Sequence, residues 1–351
     1  MLDDAEARAD GPRRATRSGI GDVARLAGVS QGTVSNVLNH PDRVSERTRR
    51  RVEDAIAKLD FVPHGPARSL AAGSTRALGL ILSDLSNSLF VDVSRGVERV
   101  ARDHQAYVLI ANTDTDLARE RHYLAMFDAT QTLATLVTIN DASHYRTLVE
   151  QHRPGRPLVF LNYRGEPGRH CAVDMDNRLG GRLAARHLLA TGRRRLAMIG
   201  GPRAFQPVAE RVEGFTAELA AAGLAFFHED VAELNSAHGW EIGMALRERV
   251  RAGEIDGVFA VADLVASGIA QALATDPGID IPGDVGIVGY DDNRAAWDSP
   301  LPLTTVRQPG DAVGAAGARI AFEEIEDPRH VHRSVTLEPE LVVRRSTVDA
   351  G

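Results

Sequence analysis

Two patterns of apolar positions divide the chain. Over residues 20–59 they recur at helical spacing, and from Leu78 onward they gather into short runs separated by longer amphipathic segments. In the first region Val23, Leu26 and Ala27 are expected on the inner side of a helix from Asp22 to Ala27. Gly28 follows as the residue that can take a positive φ and end that helix cheaply. Ser30 is placed to cap a second helix, Gln31 to Leu38, which should bury Val34, Val37 and Leu38. A third starts after Ser45, with Glu46 in its first turn, and its stripe Val52, Ala55, Ile56, Leu59 closes a three-helix core. Two helices around one glycine turn, the second with a polar outer face, make a helix-turn-helix, which seats its second helix in a DNA groove. An αα-hairpin inside a larger helical domain would share the same spacing.

Beyond Leu78, the runs Leu78–Leu82, Tyr107–Ala111, Leu133–Ile139 and Leu158–Leu161 predict buried strands, with helices over Phe90–His104 and Leu117–Phe127. The pattern then repeats. Leu196–Ile199, Gly257–Val261 and Val285–Val288 read as strands, separated by helices over Arg178–Ala190, Val208–Ala222, Trp240–Arg251 and Leu264–Ala274. Such alternation predicts an α/β body of doubly wound parallel sheets, in two similar lobes with a cleft between them. Ligands of such sheets sit beyond the carboxyl ends of the strands. That rule singles out Asp84 to Asn87, Asn162, Asp263 and Tyr290 to Asn293. Ordinary turn chemistry also favours Asn and Asp at these points, so the grouping carries more than any one member.

Charge separates the same two regions. Residues 11–76 hold twelve Arg or Lys against six Asp or Glu, a formal +6, whereas residues 77–351 carry −10. A basic head on an acidic body is expected when one module meets phosphate and the other does not. The head's surface should carry Arg25, Arg43, Arg47, Arg49, Arg50, Arg51 and Lys58. The one cysteine, Cys171, excludes an internal disulfide framework and a cysteine-based metal cage; no metal site and no cofactor are expected. No apolar run approaches membrane-spanning length and the first residues lack an apolar signal core, so a cytoplasmic protein is expected.

Taken together, DVARLAGVSQGTVSNVLN, VSERTRRRV, ARSLAAGSTRALGLILSD and the later VGYDDN and PLTTVRQP closely resemble the LacI/GalR family of transcriptional regulators, from about Gly19 to Arg345. The resemblance implies a helix-turn-helix head over 19–63 behind a disordered tail (1–18), then a hinge helix and linker over 64–76. It also implies a two-lobed, periplasmic-binding-protein-like core over 77–351. The first lobe should comprise about 77–175 plus 307–334, and the second about 176–304 plus 335–351. It implies a repressor that dimerises, binds near-palindromic double-stranded operator DNA and responds to a small-molecule effector, most simply a carbohydrate.

By position, Gln31, Gly32 and Asn36 fall where the family addresses base edges in the major groove. Gln and Asn can pair in bidentate fashion with adenine, whereas the family's common arginine at the position of Asn36 would favour guanine. Ser30, Thr33, Ser35, Asn39, Ser45, Thr48 and Arg49 match positions that grip phosphates. Leu70, in the hinge, matches the family's minor-groove wedge. In the core, Asn87, Phe90, Asn162, Arg211, Asp263, Asp291 and Gln308 match effector-cleft positions. Two departures affect the effector: Ala262 replaces the Asn that many relatives carry before Asp263, and Ser88 replaces the usual proline after Asn87. A purine-type ligand would want more aromatic stacking than this chain obviously provides.

An enzyme is the main rival, but the chain shows no G-x-G-x-x-G after a strand, no P-loop, no G-x-S-x-G elbow between a strand and a helix, and no H-x-x-x-H pair. His122, His187 and His228 read as surface residues. A periplasmic solute-binding protein would fit the body and leave the basic head unexplained. With no leucine heptad after ELVVRRSTVDAG, a dimer is expected rather than a tetramer.

Overall fold

The computed structural model describes residues 19–61, 75–166 and 168–348. The expected tail and nearly all of the hinge segment, Leu70 included, lie outside the described residues. The chain divides into two compact units, residues 1–75 and 76–351.

In the first unit α1 (Ile20–Ala27), α2 (Gln31–Asn39) and α3 (Glu46–Lys58) enclose a core of Val23, Ala24, Ala27, Val34, Val37, Val52, Ala55 and Phe61. Gly28 ends α1 at φ 62°, its N–H reaching the carbonyls of Ala24 and Arg25. From α3, Arg51 Nη2 donates to the carbonyl oxygens of Ala27 at 2.6 Å and Gly28 at 3.3 Å. Arg51 therefore ties down the turn rather than serving only the basic surface. Leu26, expected inside, is 51% exposed. It lies two residues past Ala24, about 200° around the helix from it, so the stripe that buries Ala24 turns Leu26 outward.

The second unit carries two six-stranded sheets. The first runs β11-β5-β4-β3-β1-β2, from Ser334–Leu337, Cys171–Met175, Leu158–Leu161, Thr132–Thr138, Thr75–Leu82 and Tyr107–Asn112. The second runs β12-β10-β9-β8-β6-β7, from Glu340–Val342, Thr304–Arg307, Gly286–Asp291, Gly257–Ala260, Leu196–Gly200 and Phe226–Asp230. In the first sheet β1–β2, β3–β4, β4–β5 and β5–β11 pair in parallel; in the second β6–β7, β6–β8, β8–β9 and β9–β10 do so, while β12 runs antiparallel to β10. Since β11 completes the first sheet and β12 the second, the last crossover lies between Leu337 and Glu340. The expected boundary after residue 334 would have cut β11. Likewise β10 continues to Arg307 in the second sheet, so the chain returns to the first lobe beyond that residue.

Helices cover both sheets: α4 (Ser88–Asp103), α5 (Leu117–Ala129), α6 (Ala142–Gln151) and α12 (Gly310–Glu326) in the first lobe. In the second lie α7 (Asn177–Ala190), α8 (Gln206–Ala221), α9 (Ser236–Arg251), α10 (Asp263–Ala274) and the short α11 (Arg294–Trp297). Three helix pairs cross backbone to backbone through glycines. A Cβ on Gly314 of α12 would stand 2.0 Å from the Val93 carbonyl oxygen on α4, and one on Gly181 of α7 would stand 2.0 Å from that of Arg211 on α8. The α9–α10 crossing is alike, with Gly268 against Ser236. No larger side chain fits these crossings without separating the helices.

Candidate functional site

In the head, the second helix buries Val34 and Val37 and leaves Gln31, Gly32 and Asn36 exposed on the other side. Ser30 caps α2 by accepting from the Thr33 N–H at 3.1 Å, and Ser45 caps α3 by accepting from the Thr48 N–H at 3.4 Å. Each cap also pairs hydroxyl to hydroxyl with its threonine at 2.9 Å. Each of these two helix N-termini thus carries two rotatable hydroxyls at an exposed position. Arg49 is held by Glu46 at 2.6 Å, an exposed pair that a phosphate can replace. Ser35 is half-buried on α2, and the side chain of Asn39 lies outside the described residues.

In the core, a cavity of about 460 Å³ lies between the two lobes and is lined by Asn87, Phe90, Asn162, Arg211, Asp291 and Gln308. Left-handed backbone aims two of these inward: Asn162 has φ 59° just after β4, and Asp291 has φ 111° at the end of β9. Asn and Asp tolerate such conformations better than other side chains, and strain of this kind collects at ligand sites.

Asp291 is the centre of the polar wall. Its Oδ1 accepts from Gln308 Nε2 at 2.6 Å, and its Oδ2 accepts from Asn87 Nδ2 at 2.9 Å. The Arg211 guanidinium stands 3.5 Å from Oδ1. Burial nevertheless holds the Asp291 carboxyl above its ordinary range, against the pull of Arg211 and the two amides. Arg211 is itself buried; it donates from Nε to Asn177 Oδ1 at 3.0 Å and from Nη1 to the Val261 carbonyl at 2.6 Å. Its guanidinium carbon lies 3.8 Å from the centre of the Tyr290 ring. Since α8 also presents Pro207 and Val208 to the cavity, one helix face supplies both its cation and part of its apolar wall.

Asp263 does not line the cavity. It is fully buried at the start of α10, where Oδ1 accepts from Thr305 Oγ1 at 2.7 Å and Oδ2 from the Asn293 N–H at 2.9 Å. Burial first, and then the neighbouring Asp291, push its carboxyl well up. Its part is to position Asn293, whose Nδ2 donates to Asn87 Oδ1 at 3.1 Å. The residue expected to touch ligand thus acts two steps behind it, because its oxygens are already consumed.

Asn140, Phe205 and Asn235 are among the lining residues that escaped the sequence reading. Asn140 follows the expected strand Leu133–Ile139 directly, so the same strand-end rule would have found it; it accepts from Asn162 Nδ2 at 3.2 Å. Phe205 and Asn235 precede helices and carry no comparable signal. Ser88, in place of the usual proline, accepts from the Arg294 N–H at 2.9 Å, so it adds a bond between the lobes.

Residues 19–64 match the family described as bacterial regulatory proteins, lacI family, and residues 185–347 match the periplasmic binding protein-like domain. A transcriptional repressor from Aliivibrio fischeri, strain MJ11, named PurR, is 30% identical over 336 residues, covering 94% of this chain and 98% of its own. The chain belongs to the LacI family. It is a DNA-binding transcriptional repressor with a ligand-binding core, and the family is one of repressors rather than enzymes. Among solved structures, a transcriptional regulator CelR in complex with cellobiose is 29% identical with a TM-score of 0.67, covering 94% of this chain and all of its own. The lac repressor dimer bound to operator and an anti-inducer shares the fold at 22% identity, with a TM-score of 0.83 over 95% of this chain and all of its own. Among the described residues no helix is long and apolar enough to cross a membrane.

Proposed function

We propose that this repressor's operator affinity is controlled by a polyhydroxylated small molecule, most simply a sugar, held between the two lobes. The observation that carries this reading is the composition of the cavity wall. Asn87, Asn140, Asn162, Asp291, Arg211 and Gln308 offer donors and acceptors close together, beside the apolar faces of Phe90 and Phe205. A pyranose presents that mixture, hydroxyls around its rim and C–H groups on its faces.

The same lobes bind each other through these residues, so ligand can act only by its different affinity for two lobe arrangements. On the DNA side, Gln31 and Asn36 read base edges, Gly32 leaves one position without a side-chain contact, and the hydroxyls at the starts of α2 and α3 set register on phosphates. The repressor works in the cytoplasm as a homodimer on a near-palindromic operator. The edge strand β2 supports the dimer: Tyr107 is 73% exposed, with Leu109 and Ile110 exposed beside it, an apolar edge that a second copy would cover.

The test is fluorescence anisotropy with operator fragments from the protein's own upstream region, with sugars and purine bases added in turn. Tight, salt-sensitive binding changed by a sugar establishes the reading. A response to a purine base alone overturns the sugar and assigns Phe90 and Phe205 to stacking. Weak, sequence-indifferent binding to every fragment removes the base-reading roles of Gln31 and Asn36.

A further inference from the structure

Away from the cleft, four side chains with metal-binding atoms converge in the first lobe. Cys171 opens β5, Glu324 sits in the last turns of α12, and His330 and His332 lie on the extended segment leading into β11. The ligand atoms, one from each, all lie within 4.8 Å of one another. Cys171 Sγ is 3.1 Å from His330 Nε2 and 3.7 Å from His332 Nδ1. Glu324 Oε2 is 4.0 Å and 3.7 Å from the same two nitrogens.

We propose that Cys171, Glu324, His330 and His332 form a four-coordinate site for a divalent transition ion, zinc in the first place. Bond lengths of about 2.0–2.3 Å and tetrahedral angles put neighbouring ligand atoms about 3.3–3.6 Å apart; four of the observed separations, 3.1–4.0 Å, bracket that spacing, and the widest, within 4.8 Å, must close as an ion binds. One thiolate, two imidazoles and one carboxylate are the donor mixture zinc accepts, whereas calcium and magnesium ask for oxygen alone.

Two features of the surroundings favour an occupant. Glu324 Oε2 is shielded from solvent and has no hydrogen-bond partner, an arrangement that is costly unless something binds it. The Arg333 N–H points at Cys171 Sγ from 3.5 Å, the contact that steadies a metal thiolate. Alternation along the extended segment turns both histidines inward while Val331 between them is 77% exposed. A cavity of about 340 Å³ adjoins the cluster, with Glu324, His332 and His170 in its wall, and gives an ion a way in. On binding, the thiol proton leaves to solvent as the metal–sulfur bond forms. The sequence reading expected no metal because one cysteine cannot build a cage. The cysteine and the two histidines are 159 and 161 residues apart, a separation no spacing motif detects.

The experiment uses the full, tag-free chain stripped with a chelator and titrated with cobalt(II), then with zinc. The expected result is one cobalt per chain, the visible bands of a tetrahedral ion, a near-ultraviolet thiolate-to-cobalt band, and displacement of both by one equivalent of zinc. Cys171→Ser should abolish the thiolate band, and the double variant His330→Ala/His332→Ala should weaken binding at least about tenfold. Glu324→Gln, which keeps shape and fold, should weaken it as well. No tetrahedral spectrum at saturating cobalt, or an unchanged spectrum in Cys171→Ser, overturns the site.

Discussion

Asn87 of the first lobe donates to the carboxylate of Asp291 in the second at 2.9 Å, and the same asparagine accepts from the Leu89 N–H at 3.0 Å to cap α4. The cap and the bond between lobes can be separated by one substitution. Asp is as good an N-cap as Asn but cannot donate to a carboxylate. Asn87→Asp should therefore keep α4 and open the cleft, by facing Asp291 with a like charge. Small-angle scattering should report a larger radius of gyration in the unliganded variant; an unchanged radius would mean the other bonds between lobes hold the cleft closed without this one.

Arg211 is the cation of the cavity wall and is also bound to Asn177 and Val261. Removing a buried cation from beside a carboxylate can cost about 3–5 kcal/mol, so a truncation would confuse folding with function. Arg211→Lys keeps the positive charge beside Asp291 but loses the planar fork that addresses paired ligand oxygens. Its operator binding without ligand should match the parent, while the ligand response disappears. A full response in anisotropy titrations would remove Arg211 from the effector site.

Gly181→Ala places a methyl group where the Arg211 carbonyl oxygen already stands. The two helices must separate, at a cost of about 1–3 kcal/mol in chemical denaturation. Because the displaced backbone is that of Arg211, effector affinity should fall too, although Gly181 does not line the cavity. Equal effector affinity in the two proteins would show that α8 adjusts without moving its arginine.

Asn36→Arg tests the base-reading role. Asparagine pairs with adenine and arginine with guanine, each worth about 1–3 kcal/mol of discrimination. Selection from a randomised half-site should move one position from adenine to guanine. A preference unchanged at every position would place residue 36 away from the base edges.

His187 is half-buried, its Nε2 lying 2.7 Å from Thr347 Oγ1, and burial pulls its pKa below the ordinary value of 6.5. The unfolded chain then binds the proton at a pH where the folded chain does not, so stability rises with pH across that interval. The contribution is complete above 6.5 and is lost as pH falls toward the lowered value. His187→Gln keeps a hydrogen-bonding group that does not titrate. The stability difference between parent and variant should shrink from pH 7.5 to pH 5 in paired urea melts, and a constant difference would reject the assignment.

The parts legible in the sequence are those with local causes. Ser30, Gly28 and Ser45 mark helix ends by chemistry confined to a few residues, and the runs Leu78–Leu82 and Leu158–Leu161 are strands. Helix α12 went unread because Gly310–Glu326 packs through Gly and Ala instead of a stripe of large apolar residues. Strand β7, FFHED, is an edge with polar positions on both sides. Asp263 was legible as a site residue and not as a supporting one, since its partners Asn293 and Thr305 are 30 and 42 positions away. His187, read as a surface residue, is half-buried, and its partner Thr347 lies 160 positions on, beyond the reach of local pattern.

The crossing order of the chain sets a timetable for its synthesis. The first lobe lacks α12 and β11 until residues 310–337 have left the ribosome, by which point nearly all of the second lobe has been made. Arg99 of α4 must wait for Asp311, 212 residues later, to form the ion pair that joins these helices. Until then the surface of α4 that receives α12 is open to solvent and to other nascent chains, which makes the first lobe the slow and aggregation-exposed part of folding.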